Sequence, residues 1–123
     1  MFMRLNKIYI ENFRNIKSLN IENFNDLNIF LGRNAQGKSN FIEALYCLGL
    51  GKSYKSRKEE ELLEFSSDFA VIIGYFNDEN INFSIGVSWE KSNGVLKKTI
   101  KHNENIISKF SDFLKVPFIL CCL

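Results

Sequence analysis

The run Gly32-Arg33-Asn34-Ala35-Gln36-Gly37-Lys38-Ser39 constrains this chain more than any other feature. It fits the phosphate-loop pattern G-x-x-x-x-G-K-[ST] at every fixed position. The glycines let backbone N–H groups turn toward phosphate oxygens with no Cβ in the way. Lys38 places a point charge at the β- and γ-phosphates of a nucleoside triphosphate, and Ser39 offers a hydroxyl to Mg²⁺. A polar turn could match by accident, roughly once in a few hundred chains of this length at average residue frequencies. The flanks argue against accident. Leu27-Asn28-Ile29-Phe30-Leu31 reads as a short buried strand before the loop. Residues 40–48 after it read as an amphipathic helix with Phe41, Ile42, Leu45 and Leu48 on one face. Strand, loop and helix is the context in which the motif binds a nucleotide.

At 123 residues the chain is one domain or part of one. Seventeen aromatic residues, twelve of them Phe, indicate a packed core rather than disorder. Sixteen basic and fourteen acidic side chains leave a formal charge of +2, so bulk charge does not argue for nucleic-acid binding. Any such contact has to come from a local patch. Three cysteines, Cys47, Cys121 and Cys122, are odd in number and form no C-x-x-C pair, which argues against a disulfide framework or zinc site. Cys47 lies in the helix after the loop and reads as a small core residue. No apolar stretch approaches the length of a membrane span, and no signal peptide is visible, so the cytoplasm is the expected compartment.

Residues 5–10 and 16–22 read as strands joined by the tight connection Asn12-Phe13-Arg14-Asn15. The helix after the loop is expected to end near Gly49 or Gly51. A basic cluster follows, Lys52, Lys55, Arg57 and Lys58, and then residues 59–65 read as a short acidic helix. Residues 69–76, 81–89 and 95–101 read as an antiparallel meander, with turn chemistry at Asn77-Asp78-Glu79-Asn80 and Ser92-Asn93-Gly94. Ile106, Ile107, Phe110, Phe113 and Leu114 are spaced as one face of a helix, and residues 116–120 as a further apolar strand. No Walker-B strand, an apolar run ending in Asp, follows the phosphate loop, although hydrolysis needs one to hold Mg²⁺. The expected class is α/β with α+β elements: residues 1–123 form a single incomplete domain. It reads as the N-terminal part of a longer nucleotide-binding protein.

Three features carry a family resemblance: the opening Leu-x-x-Ile-x-Ile strand running into Glu11-Asn12-Phe13-Arg14-Asn15; the loop continuing into Asn40-Phe41-Ile42-Glu43-Ala44-Leu45-Tyr46; and Gly51-Lys52-Ser53-Tyr54-Lys55-Ser56-Arg57 before an acidic Glu-Leu-Leu segment. Over residues 3–118 the chain resembles the N-terminus of the RecF family, ABC-type ATPases related to SMC and Rad50 proteins. The loop departs from the usual family pattern at Arg33 and Ser39, where Glu or Gly and Thr are commoner. After Pro117-Phe118 the chain reads Ile119-Leu120-Cys121-Cys122-Leu123 in place of the family's Phe-Ser-Pro-Glu-Asp. With the signature motif, Walker B and helical lobe absent, a truncated or frame-altered chain is expected, inactive in hydrolysis by itself.

The resemblance implies an ATPase of DNA repair, replication, recombination and the SOS response. It implies ATP and Mg²⁺ as cofactors and an ATP-dependent homodimer. It implies duplex DNA and single-strand/double-strand junctions as partners, with RecO and RecR in recombinase loading. Carried over by position, residues Gly32, Arg33, Asn34, Ala35, Gln36, Gly37, Lys38, Ser39 and Asn40 serve the nucleotide, Asn34 near the γ-phosphate, and Arg14 lies near it as well. Lys52, Lys55, Arg57 and Lys58 are the candidates for DNA contact; the bland alternative is a solvated loop offset by Glu59, Glu60, Glu61 and Glu64. His102 reads as a turn residue without catalytic partners, and Trp89 as a core or rim residue. Two other readings stand beside this one: an SMC- or Rad50-like ATPase fragment, and a nonenzymatic relic that binds a partner through the meander.

Overall fold

The computed structural model describes residues 3–22, 35–51, 58–78 and 81–107. The expected strands at 27–31 and 116–120 and the loop residues 32–34 lie outside them. Among the described residues six strands form one sheet: β1 (Met3–Phe13), β2 (Ile16–Glu22), β3 (Phe69–Asp78), β4 (Ile81–Ser92), β5 (Val95–His102) and β6 (Asn105–Ile106). Their order is β2-β1-β3-β4-β5-β6, and every neighbouring pair is antiparallel. One helix, α1 (Ala35–Leu50), lies against β1, β3 and β4, and a 3₁₀ helix (Glu59–Leu62) precedes β3.

Period-2 alternation decides which face is buried. Ile8 and Ile10 of β1 stand opposite Gly74 and Ile72 of β3, which stand opposite Ile85 and Val87 of β4. Except for the small Gly74, these side chains form the core with Ala70, Phe76 and Trp89 and with Phe41, Ala44, Leu45 and Leu48 of α1. Each large one contributes about 1.5–3 kcal/mol by leaving water. Gly74 admits the helix: a Cβ there would lie 2.8 Å from Phe76 Cε2 and 2.9 Å from Leu48 Cδ1. Phe13 breaks the alternation. It is odd-numbered yet wholly buried, and the left-handed Asn12 before it (φ 55°) turns it inward, 5.9 Å from the Trp89 ring. Trp89 is therefore core, and its Nε1 has no hydrogen-bond partner among the described residues.

Several expectations hold. The first two strands pair through the turn Arg14-Asn15, and Asn93 (φ 53°) and Gly94 (φ 79°) make the β4–β5 connection with both residues left-handed. The helix ends at Leu50, and Gly51 (φ 74°) donates its N–H to the Cys47 carbonyl at 2.8 Å. Cys47 is buried.

Others are corrected. Ile106 is not helical but belongs to β6, because the left-handed Asn103 (φ 52°) turns the chain back onto β5. The rest of that expected helix, from 108 on, is outside the described residues. His102 ends β5 rather than sitting in a turn, and meets the Phe83 ring edge-on at 5.6 Å. The acidic helix stops at Leu62; Leu63 pairs with Phe13 and Phe65 is 90% exposed. Ile42 is only half-buried, whereas its neighbour Glu43 is fully buried.

Candidate functional site

The phosphate-loop residues reach the described structure where α1 begins at Ala35. Gln36, Gly37, Lys38 and Ser39 occupy its first turns, and no acidic side chain stands in the first turn. The N-terminal N–H groups of such a helix lack intrahelical acceptors and carry the positive end of its dipole. A helix N-terminus without a competing carboxylate fits an anionic phosphate, and Lys38 and Ser39 are the residues that would hold the phosphates and Mg²⁺. Gly32, Arg33 and Asn34 lie outside the described residues. Among the described residues no group of three His, Cys, Asp or Glu side chains is placed to hold a metal ion.

The hairpin turn between β1 and β2 is bound to this helix by both of its residues. Arg14 donates from Nε to Glu43 Oε1 at 2.9 Å and from Nη2 to Glu43 Oε2 at 3.0 Å. Asn40 Nδ2 donates to Asn15 Oδ1 at 2.7 Å. Asn40 and Glu43 are one helical turn apart, so they share a side of α1. Asn40 is 4% exposed and Glu43 not at all. The hydrogen bond to Glu43 is the main cause raising the Arg14 guanidinium above its ordinary value, against the opposing effect of burial. Arg14 therefore stays charged. Its backbone is left-handed (φ 55°), an unusual state for an arginine.

The same turn is fixed from the other side. Arg14 N–H donates to the Leu62 carbonyl at 2.7 Å, and Glu64 N–H to the Asn12 carbonyl at 2.8 Å. Between the turn and this segment lies an open cleft of about 420 Å³, lined by Arg14, Asn15, Lys17 and Asn40 on one side and by Glu61, Leu63, Glu64 and Phe65 on the other. A further tie closes the far end of α1. Lys98 Nζ donates to the Gly51 carbonyl at 2.9 Å and to Glu59 Oε1 at 2.8 Å. The two flanks of the basic stretch thus converge on one ammonium. Of that stretch only Lys58 is described, and it is exposed; Lys52, Lys55 and Arg57 lie outside the described residues.

The structure brings Arg14 and Asn40 to one cleft beside the phosphate-loop helix. Sequence reasoning missed Glu43, Asn15 and Lys98. Glu43 carried a faint signal, a carboxylate one position from the apolar stripe. Lys98 carried a different one, since alternation along β5 places it on the inner face with Leu96 and Ile100.

Comparison with known proteins places these features in a wider set. The AAA ATPase domain family matches residues 3–120. A DNA replication and repair protein RecF from Geotalea uraniireducens (strain Rf4) is 34% identical over 111 residues, 90% of this chain and 29% of that protein. Its counterpart in Staphylococcus haemolyticus (strain JCSC1435) is 41% identical over 75 residues, 61% of this chain and 20% of that one. Among solved structures, that of the recombination mediator protein RecF-ATPrS in the RecFOR pathway superposes with a TM-score of 0.81 at 33% identity, covering 91% of this chain and 30% of its own. The RecF-ATP structure gives a TM-score of 0.80. The chain spans 20–30% of the length of these relatives.

Proposed function

The chain belongs to the AAA ATPase domain family, with RecF proteins as its relatives, and from that premise we propose that it is the ATP-binding lobe of a RecF-type DNA-repair protein. The observation that carries the reading is the phosphate-loop sequence running directly into the N-terminus of α1. Similarity to a RecF structure named for bound ATP supports ATP as the nucleotide. In this reading Lys38 supplies charge at the β- and γ-phosphates. Ser39 holds Mg²⁺ through its hydroxyl, the backbone of residues 32–37 surrounds the phosphates, and Arg14 approaches from the cleft. Hydrolysis also calls for a carboxylate at the end of an apolar strand to complete the Mg²⁺ site, and no run of that form follows the phosphate loop in this sequence. The whole protein dimerises with ATP, binds duplex DNA at junctions with single strands, and works with RecO and RecR. Lys52, Lys55, Arg57 and Lys58 contact the DNA backbone.

Isothermal titration with Mg-ATP tests the nucleotide site. Lys38→Ala removes the charge-assisted contact to the phosphates and should weaken binding by about tenfold or more. Equal affinity in wild type and variant would place the nucleotide elsewhere or nowhere on this chain.

A further inference from the structure

The Arg14–Glu43 pair combines two choices that do not serve stability. A carboxylate with no exposed surface is costly to desolvate, and an apolar pair of similar volume usually serves stability as well or better. A left-handed backbone (φ 55°) is disfavoured for an arginine against an ordinary turn conformation. What the arrangement does supply is orientation. Two parallel hydrogen bonds of 2.9 and 3.0 Å fix the plane of the guanidinium, which one ammonium or a single bond would not. The exposed Lys7–Glu22 pair is a contrast: its one contact is 3.4 Å, and the carboxylate is 57% exposed.

We propose that Glu43 is a positioning residue, which holds the Arg14 guanidinium in one orientation at the cleft beside the phosphate-loop helix so that it meets the phosphates of bound ATP. The proposal rests on the nucleotide reading above. Its geometry is compact. Glu43 lies on the same helix as Lys38 and Ser39, so the helix that presents the phosphate contacts also sets the angle of the arginine. Asn40 does the same for the next residue of the turn through Asn15. The turn and the helix are then one unit, and a phosphate bound at the N-terminus of α1 meets an arginine already in place. Preorganisation of this kind lowers the ordering cost of binding.

A double-mutant cycle on Mg-ATP affinity tests this. Glu43→Gln keeps the shape and one acceptor but loses the charge-assisted fork. Arg14→Lys keeps a cation opposite the buried carboxylate, so the fold is protected, but loses the planar two-point contact. Each single variant should bind Mg-ATP about tenfold more weakly, and the double variant no more weakly than either. Glu22→Gln, the same charge change on β2, should bind as wild type does. Emission of Trp89, the only tryptophan, reports whether each variant is folded. Wild-type affinity in folded Glu43→Gln, or a double variant whose affinity falls by the product of the two single effects, overturns the positioning role. Equal binding by wild type and Lys38→Ala overturns the nucleotide reading and this role with it. Weaker binding in Lys38→Ala but not in Glu43→Gln overturns the positioning role alone.

Discussion

Two ionisable side chains of α1 are buried, one in an ion pair and one in apolar surroundings. Glu43 is wholly buried and paired with Arg14, and breaking such a buried pair by removing one member is strongly destabilising, by about 3–5 kcal/mol. Cys47, one turn further on, stays a neutral thiol. Burial, followed by the nearby Glu43 charge, pushes it up to about 12. An unfolded thiol titrates near 8.5. Between these values the native state holds a proton that the unfolded state has released, so folding stability is complete below the unfolded value and falls as pH rises toward 12. The slope contributed by this one group is at most about 1.4 kcal/mol per pH unit. Tyr9, raised chiefly by the hydrogen bond it donates to Glu11, acts in the same direction from the surface. Thermal melts between neutral pH and about pH 11 should therefore fall more steeply in wild type than in Cys47→Ala. Parallel curves would mean that the thiolate is tolerated in place.

At the scale of elements, the β4–β5 hairpin isolates a backbone effect. Gly94 has φ 79°, and nothing lies within 4 Å of where its Cβ would be. Gly94→Ala should therefore cost about 1 kcal/mol through conformation alone, read from urea denaturation followed by Trp89 emission. Unchanged stability would mean that the turn relaxes to another type without disturbing the Ser92–Val95 pairing. This hairpin was legible because alternating strands flank a turn whose residues tolerate positive φ. The helix was legible for similar reasons, its C-terminal glycine included. The pairing of β1 with β3 was not. More than fifty residues separate them, and nothing local in either strand names its partner. The stretch from Ile106 misled because apolar spacing alone cannot distinguish a strand end from a helix start; the left-handed Asn103 decided it. The site divides in the same way. Lys38 and Ser39 announce themselves by motif. Glu43 does not, because a carboxylate on a helix is normally solvated and its pairing with the distant Arg14 is not visible locally.

At the scale of the whole molecule, the proposed DNA binding calls for a basic surface. The sheet leaves one broad face away from α1, but its charges are mixed, and Lys7 already engages both Glu22 and the Tyr75 ring. The basic stretch is the stronger candidate. Its flanks are held together by Lys98, which pins Gly51 at the end of the phosphate-loop helix and Glu59 at the start of the 3₁₀ helix. A DNA contact made there would sit one tether away from the phosphate-loop helix. Against this, Glu59, Glu60, Glu61 and Glu64 follow at once, and neighbouring acids can neutralise such a stretch. Salt dependence separates the two cases, because each phosphate that a basic side chain neutralises releases counterions and steepens the fall of affinity with salt. Replacing Lys52, Lys55, Arg57 and Lys58 together with Ala, in the full-length protein, should lower the slope by about one unit for each DNA phosphate that is no longer neutralised. Mg-ATP affinity should not change, since none of the four lies in the phosphate loop. A quadruple variant with the wild-type slope would make this stretch a solvated loop. The proposed DNA surface would then have to be sought elsewhere than in these four residues.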